Sequence, residues 1–187
     1  MIDRRNLLLL GAFGLLSPQL AQAQSMSRVT AYAFTFKGLD GNEILLSGFA
    51  GHPILVVNTA SLCGYTPQYT GLQALWMRYR DKGLAVLGVP SNDFGSQEPG
   101  GASETVKIAH EEYHVTFPLT EKATVKGRDA HPFYKWAAIE RPLDAPRWNF
   151  HKYLIGRDGH LKASFPSAVE PGDPRVIAAI EKELISA

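Results

Sequence analysis

Two short, unbroken apolar runs constrain this chain more than any other feature. Ile54-Leu55-Val56-Val57 follows Pro53, and Leu84 to Val89 ends at Pro90. Runs of this length with no polar alternation fit strands buried on both faces. Between them lies a stretch with helical period. Thr66-Pro67 offers a hydroxyl cap and a proline at the first helical position. Leu72, Leu75, Trp76 and Tyr79 recur at helical spacing, and Lys82-Gly83 supplies a stop. A strand, a helix and a second strand in this order predict a sheet covered by helices.

The rest of the chain extends that plan. Ala31 to Phe36 and Glu43 to Leu46 read as strands around the turn Leu39-Asp40-Gly41-Asn42. Residues 91–102 form a loop rich in Gly, Ser, Asn and Pro. Ser103 is placed to cap a helix with Val106, Ala109 and Tyr113 on one face. Thr116 to Leu119 is short and extended, and His131-Pro132 opens a helix carrying Phe133, Trp136 and Ala137. Phe150 to Ile155 and Leu161 to Phe165 read as a hairpin through Arg157-Asp158-Gly159. Asp173-Pro174 starts a last helix with Ile177, Ile180 and Leu184 inward. The expected fold class is α/β with the thioredoxin layout: a mixed central β-sheet flanked by helices, with an N-terminal β-hairpin.

Residues 1–23 are set apart from this fold. Arg4-Arg5 precedes an apolar run, Leu7 to Leu16, and Ala21-Gln22-Ala23 has the pattern of a cleavage site. The segment reads as a cleavable signal peptide with some likeness to the twin-arginine type, leaving residues 24–187 as one domain of an exported, periplasmic protein. The alternative is an uncleaved anchor. The run falls short of the roughly 20 residues that a spanning helix needs. No second long apolar stretch follows, so stable membrane insertion of the mature chain is not expected. Without the leader the chain has 17 basic and 17 acidic side chains. This balance gives no overall field to attract nucleic acid.

Cys63 is the only cysteine. In an exported chain a lone thiol is either a small buried hydrophobe or a reactive group. Its position favours reactivity, since it falls in a loop after a central strand and before a helix, the sheet edge where reaction sites gather. A thiolate there is stabilised by the helix dipole and by the free amides of the first turn. A thiolate that attacks a bond to oxygen also calls for neutral donors to the sulfur and to the leaving oxygen. The amides of Gln97 and Asn149 and the indole of Trp148 are candidates. His110 and His114, four apart on an expected helix, have a metal-compatible spacing but no clear third ligand, and they read as exposed. Lys135, Arg141 and Arg147 either attract an anionic substrate or belong to a solvated surface.

Three segments carry a resemblance. Asn58-Thr-Ala-Ser-Leu-Cys63-Gly-Tyr-Thr-Pro-Gln-Tyr69 resembles the nucleophile segment of the glutathione peroxidase family. Pro90-Ser-Asn-Asp-Phe-Gly-Ser-Gln97-Glu-Pro-Gly100 resembles its second signature, and Arg147-Trp148-Asn149-Phe150-His-Lys-Tyr-Leu its third. They occur in family order, and the resemblance spans about residues 28 to 184. It implies a peroxidase of the oxidative-stress response, with Cys63 as the peroxidatic residue and Gln97, Trp148 and Asn149 completing a catalytic tetrad. It implies no metal, haem, flavin or nucleotide. Many cysteine-containing relatives carry a resolving cysteine where this chain has Ala109. Cys63 sulfenic acid is therefore expected to be reduced by an external thiol, such as glutathione or a thioredoxin-like protein. The passage from Gly127 to His131 has no long insertion, which resembles the monomeric branch. A peroxide sensor or redox relay that forms an intermolecular disulfide through Cys63 stays open as a second reading. A thioredoxin-like binding domain with an inert thiol is a third.

Overall fold

The structure, a computed structural model, describes residues 29–185. The expected leader, residues 1–23, lies outside them. Strands β1 (Thr35–Lys37) and β2 (Glu43–Leu45) form the antiparallel N-terminal hairpin. Strands β3 (Ile54–Thr59), β4 (Ala85–Pro90), β5 (Lys152–Ile155) and β6 (Leu161–Phe165) form one sheet in the order β4-β3-β5-β6. β3 runs parallel to β4, β5 runs antiparallel to β3, and β6 antiparallel to β5. The sheet is mixed, as its connections require.

All six residues of β3 are buried. Leu55 and Val57 point to one face and pack with Leu72, Leu75 and Tyr79 of α1 (Gln68–Tyr79). Val176 and Ile180 of α4 (Pro174–Ile185) join the same core. Ile54 and Val56 point to the other face, against Phe133, Trp136 and Ala137 of α3 (Pro132–Glu140). Two helical layers thus explain why the run shows no alternation, and each such side chain contributes about 2 kcal/mol by leaving water. Among the described residues, no helix is long and apolar enough to cross a membrane.

Several boundaries differ from expectation. Ala31–Ala33 is a 3-10 turn, not a strand, because Phe34 N–H turns back to the Ala31 carbonyl and Ala31 N–H bonds Gly159 in the β5–β6 turn. Leu46 leaves β2 to begin a second 3-10 turn. α2 (Ala102–Val106) starts after Gly101 with no hydroxyl cap from Ser103, and it continues into a π-helical turn, Lys107–Glu112. The wider turn changes the inward face. Thr105 and Ala109 are buried, while Val106 and Tyr113 are half-buried. In α4 the fully inward apolar residues are Val176 and Ile180, with Ile177 and Leu184 half-buried.

The extended segment 116–119 runs along β4. Gly88 N–H donates to Pro118 O at 3.0 Å, and Thr120 N–H returns to Gly88 O at 2.9 Å. A Cβ on Gly88 would press on the Leu119 side chain, so glycine lets the segment lie close against β4.

Candidate active site

β3 and β4 end together, Thr59 opposite Pro90, and the antiparallel β5 begins at the same edge. Three loops therefore converge there. Ser61 to Pro67 carries Cys63, residues 91–101 carry Gln97, and residues 145–151 carry Trp148 and Asn149.

Cys63 is 6% exposed. Its loop is wound by Thr66, whose hydroxyl accepts from Cys63 N–H (3.0 Å) and lies within donating distance of the Ala60 (2.9 Å) and Cys63 (2.7 Å) carbonyls. Thr66 is therefore not the helix cap that the sequence suggests. α1 begins at Gln68, five positions after the sulfur, with no side-chain cap. Its leading amides bond the Tyr65, Thr66 and Pro67 carbonyls. The donor on the sulfur is instead Tyr65 N–H, at 3.4 Å from Sγ. The sulfur's hydrogen-bond donor thus comes from the turn before the helix rather than from the helix's first turn.

The loop of Gln97 lies directly against that of Cys63, with Leu62 N–H donating to Gln97 O at 2.9 Å. Gly95 and Ser96 before it are both left-handed, with φ of 65° and 52°. Asn149 is fully buried, and its Nδ2 donates to Gln97 Oε1 at 2.9 Å and to Phe94 O at 3.3 Å. The Phe94 carbonyl fixes which end of the Asn149 amide faces it, because two acceptors would repel. Gln97 Oε1 is thereby occupied, and its Nε2 is left to donate. Trp148 stands on the rim, 39% exposed, with its ring centroid 6.0 Å from that of Phe94. A Cβ on Gly95 would sit 3.3 Å from the Trp148 ring and 3.4 Å from Gln97 Cγ, so both side chains rise over this glycine. The structure thus brings Gln97, Trp148 and Asn149 together and sets the loop of Cys63 beside them.

Phe150 has a φ of 62°, in the left-handed region that a bulky residue rarely adopts. This kink ends the loop and delays β5 to Lys152, two residues later than its composition suggests. It is held from two sides. Phe150 N–H donates to Asn58 O at 2.5 Å. Its carbonyl accepts from the fully buried Lys152 Nζ at 2.8 Å, which also donates to Gln68 Oε1 and Val169 O, each at 2.6 Å. Burial pushes the Lys152 ammonium down to about 8, while Glu170 pulls it the other way. Sequence reasoning gave Lys152 no role. The available signal was a lysine inside a strand whose neighbours are all apolar or aromatic.

Other expected features fall outside this cluster. His110 and His114 line a groove of about 920 Å³ with Asp40 and Glu43, between the β1–β2 hairpin and residues 106–119. Arg141 donates to the Lys162 carbonyl at 2.9 Å. Lys135 is exposed on α3. Arg147, beside Trp148, lines a pocket of about 300 Å³ with His151, Ser164 and Ser167.

Comparison with known proteins bears on the family and the fold. A profile of the glutathione peroxidase family matches residues 31–138. A hydroperoxy fatty acid reductase of Synechocystis is 43% identical over 164 residues, covering 83% of this chain and 96% of the relative. A glutathione peroxidase of Lactococcus lactis is 38% identical over 143 residues, covering 75% and 91%. The crystal structure of apo Trgpx superposes with a TM-score of 0.67 at 38% identity, covering 83% of this chain and 97% of that one. A thiol:disulfide interchange protein of the thioredoxin family from Chlorobium tepidum, at 13% identity and a TM-score of 0.58, shares the fold over 83% and 96% of the two chains. With three convergent loops, a profile match over most of the chain and relatives near 40% identity, the chain belongs to the glutathione peroxidase family.

Proposed function

We propose that this protein is a thiol-dependent peroxidase that converts ROOH and two thiols to ROH, water and a disulfide, with Cys63 as the nucleophile. The Cys63 sulfur attacks the terminal peroxide oxygen and the O–O bond breaks. The leaving oxygen takes up a proton, and the cysteine becomes a sulfenic acid. A first thiol displaces water to give a mixed disulfide, and a second releases Cys63 and the oxidised thiol. Tyr65 N–H supports the anionic sulfur, Gln97 and Trp148 supply donors from the loops beside it, and the buried Asn149 orients the Gln97 amide. The observation that carries this reading is the Asn149–Gln97 hydrogen bond, set against the Cys63 loop in a member of this family.

Relatives named hydroperoxy fatty acid reductase and glutathione peroxidase-like peroxiredoxin support organic hydroperoxides as well as hydrogen peroxide as substrates. With no second cysteine in the sequence, resolution falls to an external thiol. The reaction calls on no metal, haem, flavin or nucleotide. In the same reading residues 1–23 direct export to the periplasm, and the short passage from Gly127 to His131 goes with a monomer.

Cys63→Ser should abolish peroxide consumption, and full turnover by this variant overturns the mechanism. Steady-state assays with glutathione, thioredoxin and a periplasmic-type dithiol, side by side, identify the reductant. Inertness with all three, together with one dominant protein adduct after a peroxide pulse, would favour the relay for which a lone cysteine is equally suited.

A further inference from the structure

The loops of Cys63 and Gln97 are joined by a side chain outside the tetrad. Glu98 follows Gln97 and is 1% exposed. Its Oε2 accepts from Ser61 N–H at 2.5 Å, and its Oε1 accepts from Ser61 Oγ at 3.1 Å and from Thr105 Oγ1 at 2.5 Å. Ser61 is two residues before the nucleophile, and Thr105 lies on α2. One carboxylate therefore ties the nucleophile loop and α2 to its own loop. The backbone of that loop is held as well. Glu98 N–H donates to Asn92 Oδ1 at 2.8 Å, and Lys122 Nζ donates to the carbonyls of Glu98 at 3.0 Å and Gly100 at 2.9 Å. A buried carboxylate carries a large desolvation cost unless its oxygens are satisfied.

We propose that Glu98 is a positioning residue for peroxide reduction, fixing the spacing between the Cys63 sulfur and the Gln97 amide by bridging Ser61 and Thr105. This rests on the peroxidase reading above. Peroxide cleavage needs sulfur and donor in register at once, whereas alkylation by iodoacetamide needs only an accessible thiolate. Disturbing the bridge should separate the two rates, and a displacement of about 1 Å costs on the order of a hundredfold in rate.

The test compares the reduced full-length protein with Glu98→Gln and Glu98→Asp. The second-order rate constants of Cys63 with hydrogen peroxide and with iodoacetamide are measured across pH. Glu98→Gln presents an amide hydrogen to groups that now donate, and Glu98→Asp keeps the charge but is one methylene shorter. Both should lose roughly thirty- to hundredfold in peroxide rate while alkylation changes by less than about threefold. Should either variant fail to fold, Ser61→Ala and Thr105→Val each remove one hydroxyl from the bridge. They should show the same selective loss at roughly three- to tenfold. Equal loss in both reactions, or an unchanged peroxide rate, overturns the assignment. Retention of the peroxide rate by Glu98→Asp alone also overturns it, since charge rather than reach would then be at work. A wild-type protein that reacts with iodoacetamide but not with peroxide overturns the peroxidase reading itself, and this proposal with it.

Discussion

Asn149 places both of its amide hydrogens on acceptors, Gln97 Oε1 and Phe94 O. Sequence reasoning set Gln97, Trp148 and Asn149 side by side as equivalent donors. The geometry makes two of them serial, with Asn149 orienting Gln97. Asn149→Asp would set an oxygen against both acceptors, and peroxide reduction should fall about a hundredfold, as for loss of one preorganised donor. Stopped-flow measurement of the Cys63–peroxide reaction checks this, and a variant with more than half the wild-type rate would contradict the serial arrangement. The residues that the three loops bring together were legible because three motifs carry them. Their division of labour was not, since amide orientation depends on the carbonyl of Phe94, a partner that no local pattern specifies. Thr66 shows the same limit. A hydroxyl before Pro67 looks like a cap, yet the backbone of Cys63 is the nearer partner.

At the scale of elements, both continuous apolar strands and the intervening helix were legible, because burial on two faces leaves a plain record in composition. Boundaries at the functional edge were not. Phe150 is aromatic and leads into Tyr153, Leu154 and Ile155, so it reads as part of the strand, and its left-handed conformation has no compositional trace. It is imposed by the Asn58 carbonyl and the Lys152 ammonium. Lys152→Met would leave the Phe150 and Val169 carbonyls and Gln68 Oε1 without this donor. We expect unfolding in urea to become easier by about 2 kcal/mol, the cost of stranding buried acceptors less the relief of removing a buried charge. Unchanged stability would mean that the kink needs no such clamp. The π-helical turn at Lys107–Glu112 was equally hidden, because helical period alone does not distinguish 3.6 residues per turn from a local widening.

At the scale of the whole molecule, order of elements and sheet class followed from the sequence, while the hydrogen-bonded joints between distant segments did not. One buried ring has a pH signature. His151 is 5% exposed, and burial, aided by Lys152, pushes its imidazole down to about 4. Above its ordinary value near 6.5 the ring is neutral folded or unfolded. Below that, the unfolded chain takes up the proton and the folded one does not, so stability falls as pH drops toward 4. The contribution should reach about 2 kcal/mol between about pH 7 and about pH 5. Urea titrations at both pH values measure it, and His151→Gln should flatten the difference. The antiparallel entry of β5 has a wider consequence. It delivers Trp148 and Asn149 to the edge where β3 and β4 end, yet these residues are synthesised long after Cys63 and Gln97. A nascent chain, or one opened at β5, carries an ordinary thiol without these two side chains. In the proposed mechanism, peroxide reactivity of the lone thiol then reports completed folding, a chemical assay of nativeness that needs no spectroscopic probe.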